Sequence, residues 1–371
     1  MKGVADGSDA DITNGITLTG TNITFDMGAS AFKALTVTAT GVVDIDVNVT
    51  ADVGNLSITG SSGDGDNVTI ATGVTLTAAG NLTLANGSTD ALDIIGEGVL
   101  NLTATGTVTL SNALDANGVL TITAATVDIG AIIDADTHAV NLVPAAGGTV
   151  GLGAGAGDFS VTNAELNRIN TSGTLTIGTN GTTTMTISGW ADDGGLTGTV
   201  VLTADAASGS VTFSGSDSSL TAGLTINADA GVTLSASLTT AGTTDINADE
   251  DNSGAGTFTL AAAKDLNTGS GALTITAADF ALATNANTDI ITTGALTLIA
   301  SNNGSITLGA DTAFGITNTE LSYLNANSLT LGAGLGAITV KGVADGSDAD
   351  ITNGITLTGT NITFDTGASV S

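Results

Sequence analysis

Along most of the chain, apolar and polar residues alternate in short bursts: Ile16-Thr17-Leu18, Leu35-Thr36-Val37, Leu56-Ser57-Ile58, Val74-Thr75-Leu76, Leu100-Asn101-Leu102 and Leu120-Thr121-Ile122. A period of two buries one face and wets the other, so each burst predicts a short strand. These triplets begin 18 to 26 residues apart, and others lie between them, such as Ile23-Thr24-Phe25, Val43-Asp44-Ile45 and Val108-Thr109-Leu110. That spacing suits a coil of about 20 residues carrying two or three strands, repeated as a solenoid. Asn14-Gly15, Asn86-Gly87, Asn117-Gly118 and Asn180-Gly181 punctuate the pattern, because Gly and Asn turn the chain sharply. Pro144 is the one proline, as a continuous ladder that cannot spare backbone N–H groups requires. The expected fold is all-β, a parallel β-solenoid running through residues 1–371. Tandem antiparallel β-sandwich domains are the alternative that the Gly-rich turns leave open.

Two places break the alternation. Thr162 with Glu165 and Thr317 with Glu320 have the Thr-x-x-Glu form of a capping box, followed by Leu166 with Ile169 and Leu321 with Leu324. Each predicts a helix of one or two turns inserted among the strands.

The chain also repeats itself at long range. Lys2 to Ser30 returns as Lys341 to Ser369 with Thr366 replacing Met27, so residues 2–340 form one period and residues 341–371 begin the next. Met1 falls where Val340 falls in the later copy, as an introduced start would place it. An older echo lies inside the period, where Phe159 to Gly178 aligns with Phe314 to Gly332 after one residue is dropped.

Composition narrows the function classes. Aromatic residues make up 3% and apolar residues 42%, which suits a narrow interior of small and β-branched side chains. Five Lys and Arg stand against 36 Asp and Glu, a net charge of −31, which repels nucleic acid and anionic lipid alike. No apolar run reaches the length of a membrane span, and Met1 to Asp11 has no signal-peptide core, so any export signal would lie outside this stretch. With no Cys, neither disulfides nor thiolate sites contribute.

Candidate chemistry is sparse. His138, in Asp134-Ala-Asp136-Thr-His138, has no second His or Cys to work with, and the pairs Asp192-Asp193 and Asp249-Glu250-Asp251 have no basic neighbour to set one carboxyl apart from the other. The expectation is therefore no enzyme. Calcium is the candidate metal, at Asp64, Asp66, Asp249, Glu250 and Asp251, with a further acidic turn at Asp6 and Asp9, because clustered carboxylates supply hard oxygen ligands. Thr17 with Thr19, Thr36 with Thr38, Thr75 with Thr77, Thr121 with Thr123 and Thr274 with Thr276 form outward Thr-x-Thr pairs. Such a face could bind ice or a polysaccharide, or could simply suit the wet side of a strand. Asn-x-Thr triplets such as Asn22-Ile-Thr24 and Asn81-Leu-Thr83 follow from the same alternation, and Trp190 has no companion aromatic for a sugar platform.

Phe159 to Gly178, preceded by Gly147 to Gly153, resembles the repeat of very large filamentous-haemagglutinin-like bacterial exoproteins, and so does Asp245 to Leu282. The resemblance implies a right-handed parallel β-helix, exported to the cell surface or the medium and serving adhesion, cell envelopes or biofilm. With the repeat, it yields the expected role: a structural or adhesive segment of a large extracellular fibre. Its expected partners are further copies joined head to tail and other envelope or matrix components, without nucleic acid or membrane insertion.

Overall fold

The computed structural model describes residues 15–61, 68–87, 91–96, 98–179, 181–283, 289–310 and 314–365. The fold is all-β, with long parallel sheets stacked in chain order as a β-solenoid. Contacts divide it into two compact units, one of residues 1–146, 158–177 and 195–198, the other of residues 147–157, 178–194 and 199–371. Each is described in turn.

In the first unit every coil gives one short strand to each of three sheets. One sheet takes Ile16–Gly20, Leu35–Ala39, Leu56–Thr59, Leu82–Ala85, Thr107–Leu110 and Thr126–Ile129. A second takes Ile23–Phe25, Val43–Ile45, Val68–Ala71, Leu92–Ile95, Leu114–Ala116, Ile133–Asp134 and Ile169–Asn170. The third runs from Ser30–Phe32 through Val49–Ala51, Thr75–Ala78, Val99–Ala104 and Val119–Ala124 to Val140–Pro144. Equivalent residues of neighbouring coils lie 19 to 27 positions apart, rising to 35 or 36 where Ile169–Asn170 and Thr174–Thr179 join their sheets, and the shorter steps match the spacing of the triplets.

The second unit repeats this plan. Thr199–Ala204, Gly223–Ala228, Thr244–Asn247 and Leu273–Ala277 pair in succession on one face. Thr182–Ser188, Ser210–Phe213, Val232–Leu234, Thr257–Leu260 and Asp279–Leu282 pair on another. Ser218–Leu220, Leu238–Thr240 and Asp265–Asn267 form the third. All of these ladders are parallel, as are those of the first unit. A β-sandwich is assembled from antiparallel pairs, so the sandwich alternative is overturned.

In-register parallel stacking places like on like. Leu35, Leu56, Leu82, Val108 and Val127 form one inward column, and Val37, Ile58, Leu84, Leu110 and Ile129 form the next. All ten are buried. Aromatic side chains of the core also stack. Phe258 and Phe280 have ring centroids 5.6 Å apart, and Phe280 and Phe314 lie 6.3 Å apart, both pairs near parallel.

The two helices are there, each at the shorter of the two expected lengths. Helix α1 is Asn163–Leu166 and α2 is Asn318–Leu321, each one turn long with a complete capping box. Ile169 and Leu324 already belong to strands. Glu165 Oε2 accepts the backbone N–H of Thr162 at 2.8 Å, while Oε1 accepts that of Ile129 at 3.2 Å. The Arg168 guanidinium donates to the Ile129 carbonyl, at 2.5 Å. The helix thus stands where the next strand would be, and its side chains supply the partners that strand would have supplied. Glu320 repeats the device, accepting from Thr317 at 2.9 Å and from Leu282 at 3.3 Å.

Candidate functional site

The outward residues of each strand form columns as regular as the core. Thr17, Thr36, Ser57, Thr83 and Thr109 lie in one, and Thr50, Thr77, Thr103 and Thr123 in another. Beside the second runs a mixed column of Thr75, Asn101, Thr121, Asn141 and Thr176, in which Asn141 donates to Thr121 at 3.1 Å.

At the corners asparagine does work that the sequence alone did not disclose. Asn22 Oδ1 accepts the N–H of Val42 at 3.1 Å, Asn55 Oδ1 that of Asn81 at 2.9 Å, and Asn81 Oδ1 that of Thr107 at 2.9 Å. Each side chain continues the ladder where the backbone bends away. Directly against these amides lie Gly41, Gly80 and Gly106, where any Cβ would overlap the Asn oxygen. The Asn of Asn22-Ile-Thr24 and of Asn81-Leu-Thr83 are therefore engaged in holding neighbouring coils together. The signal for them was an Asn in one coil followed by a Gly at the matching place in the next.

A third kind of column is acidic. Asp93, Asp115 and Asp134 occupy one position in successive coils. Desolvation by the adjoining coils and the charges of Asp93, Asp134 and Asp136 push the Asp115 carboxyl above its usual range. Asp265 and Asp289 are likewise paired, and burial followed by the charges of Asp265 and Asp350 raises Asp289. The triplets Leu92-Asp93-Ile94, Leu114-Asp115-Ala116 and Ile133-Asp134-Ala135 carried the signal, which only the register of the coils makes visible.

The acidic turn at 249–251 divides into three different environments. Asp249 is fully buried, and its carboxylate accepts from Ser253 Oγ at 3.1 Å, from the N–H groups of Gly254, Ala255 and Gly256 at 3.0 to 3.3 Å, and from Ser301 Oγ. Burial alone would raise its pKa, but the bonds from Ser301, Gly254, Gly256 and Ser253 together outweigh that and hold it below the usual range. Glu250 is half-buried, and its Oε2 and Asp205 Oδ1 have no hydrogen-bond partner. Burial, then the charges of Asp205 and Asp229, push Glu250 up. Asp251 is exposed and accepts the N–H of Ser253 at 2.9 Å.

Asp6, Asp9, Asp64 and Asp66 lie outside the described residues. Among the described residues, no group of three or more His, Asp and Glu side chains is gathered as a metal site. His138 caps a turn through its backbone, donating to the Ala135 carbonyl at 2.7 Å and accepting from Thr171 Oγ1 at 2.6 Å. Asp192 accepts from Gly194 at 3.1 Å and from the Thr221 N–H at 3.0 Å, tying one coil to the next. Trp190 is wholly buried, so its ring is part of the core and offers no face to a sugar. No described helix is long and apolar enough to cross a membrane.

The chain matches no family model, no curated protein and no solved structure.

Proposed function

We propose that this chain is a structural or adhesive repeat segment of a large extracellular bacterial fibre. In this reading the work is done by the ordered outer faces and by association with further copies and with envelope or matrix components, and no catalysis is involved. The observation that carries the reading is the behaviour of one 11-residue sequence. Ile16 to Asp26 and Ile355 to Asp365 are identical, and both fold as a rung of the solenoid, with strands at Ile16–Gly20 and Ile23–Phe25 in one and at Ile355–Thr358 and Asn361–Asp365 in the other. A period that begins and ends on the same rung can be repeated without altering the stack, which is the property a fibre requires. The resemblance to filamentous-haemagglutinin-like proteins supports the same reading.

Electron microscopy of the purified chain, with and without calcium, tests it. Thin rods with a repeat of about 4.8 Å along their axis are the expected result, and compact globules would overturn it. A calcium requirement would give the acidic columns a role in neutralising charge.

The threonine columns favour a second reading, binding of ice or of a polysaccharide along one flat face. Thr50, Thr77, Thr103 and Thr123 in register form the regular hydroxyl array that such a surface needs. Inhibition of ice recrystallisation by the chain, lost in Thr77→Lys, would support it.

A further inference from the structure

One corner of the second unit gathers carboxyl groups from successive coils. Asp205, Asp229 and Asp249 each follow an alanine where a strand ends, in Ala204-Asp205, Ala228-Asp229 and Ala248-Asp249, and the register that sets Ala204 opposite Ala228 and Asn227 opposite Asn247 brings them into one line. Residues 249–256 then fold back over the preceding coil. The Glu250 N–H donates to the Ala228 carbonyl at 3.0 Å, and the Asp251 N–H donates to the buried Asp229 carboxylate. On its other side the turn is tied through Asp249, which accepts from Gly254, Gly256 and Ser301. That leaves the Glu250 side chain. Its Oε2 and Asp205 Oδ1 are both closed off from solvent without a hydrogen-bond partner, and the charge of Asp205, two coils back, acts on Glu250 more strongly than that of Asp229. Two ionised carboxylates closed off together would repel each other and leave both oxygens without a donor. One proton between them supplies the donor and removes the repulsion, as it does where two carboxyls share a site.

We propose that Glu250 holds a proton on Oε2 and donates it to Asp205 Oδ1, which makes the turn 249–256 a clasp that closes over the two preceding coils while the proton is bound and loosens when it is lost. The proton is drawn from solvent and returned to it, and no other bond is made or broken. The charged groups around Glu250 are Asp205 and Asp229 from the two preceding coils, with Asp249 and Asp251 beside it in the turn. Burial, then the charges of Asp205 and Asp229, raise Glu250, so its share of the fastening is complete below its unfolded pKa and is lost as the pH rises through the folded one. At Asp249 burial is outweighed by the bonds from Ser301 and from its own turn, so its share is complete above its unfolded pKa and is lost as the pH falls through the depressed folded one. The clasp is therefore tightest in mild acid and loosens on either side. It works within one chain, whatever the outer faces of the solenoid bind.

Glu97, Glu165, Glu250 and Glu320 are the glutamates of the sequence, so NMR of the full chain labelled at its glutamate carboxyls gives an uncrowded spectrum, in which Glu250 is identified by the resonance lost in Glu250→Gln. Glu250 should titrate above the ordinary glutamate range. Asp205→Asn, which removes the like charge and keeps the shape, should weaken its hold on the proton about tenfold or more. Titration in the ordinary range, or a midpoint that Asp205→Asn leaves in place, would overturn the proposal. Amide hydrogen exchange reads the clasp itself. Protection of the Glu250, Gly254 and Gly256 N–H groups should fall about tenfold or more between about pH 5 and about pH 8. Glu250→Gln carries an amide donor at every pH and should keep that protection at the higher pH, whereas Glu250→Ala should lack it at both. A Gln variant no better protected than the Ala variant would mean that no shared proton holds the turn, and would equally overturn the clasp.

Discussion

Small polar residues decide how neighbouring coils hold together. The amide oxygen of Asn81 accepts the N–H of Thr107, and Gly106 makes room for it. A methyl group there must push the amide aside, so Gly106→Ala should cost about 1–3 kcal/mol, as overpacking of a closed site does, measured as a lower urea midpoint. Glu165 closes a capping box and also completes the edge at Ile129. Glu165→Ala leaves two N–H groups without their acceptor and should cost about 1–3 kcal/mol. Glu165→Gln keeps an acceptor oxygen and should cost less. Asp249 belongs with these residues, since its carboxylate accepts from donors on its own turn and from Ser301.

At the level of the element, a single strand of three to six residues has almost no stability of its own, and the coil is stable because both of its edges are paired. Leu102 shows this, lying between Leu76 on one side and Ile122 on the other with no exposed surface. Leu102→Ala opens a cavity bounded by two coils and should cost about 2–5 kcal/mol, again read from urea unfolding. The helical insertions are tolerated for the same reason, because Glu165 and Glu320 satisfy the strand edges that would otherwise be left open.

For the molecule as a whole, register turns a net charge of −31 into columns of like charge. Asp115, Asp229, Glu250 and Asp289 all have pKa values raised above the unfolded ones, by burial first and by neighbouring carboxylates second. A carboxyl raised in this way binds its proton more tightly in the folded state, so acidification from pH 7 toward the ordinary carboxylate range should increase stability. Asp249 works in the opposite sense. Its contribution is present above its unfolded pKa and is lost as the pH falls through its depressed folded value. The thermal midpoint should therefore peak on the acid side of neutrality and decline in stronger acid. A midpoint that falls steadily from pH 7 downward would contradict this, and added salt at pH 7 should raise the midpoint by screening the columns.

Much of this was legible in order along the chain. Alternation at Leu35-Thr36-Val37 and its many counterparts determined strands and their inward faces, the wide and regular spacing of those strands determined coils, and Thr162 with Glu165 determined a cap. Each of these depends on residues close together in sequence, where local geometry acts directly. Which residues share a column was decided only by the tertiary structure, because coils of 19 to 36 residues do not keep constant step. The stacking of Asp93, Asp115 and Asp134, the fit of Asn81 against Gly106, the burial of Trp190 and the enclosure of Asp249 by Ser301 all depend on that register.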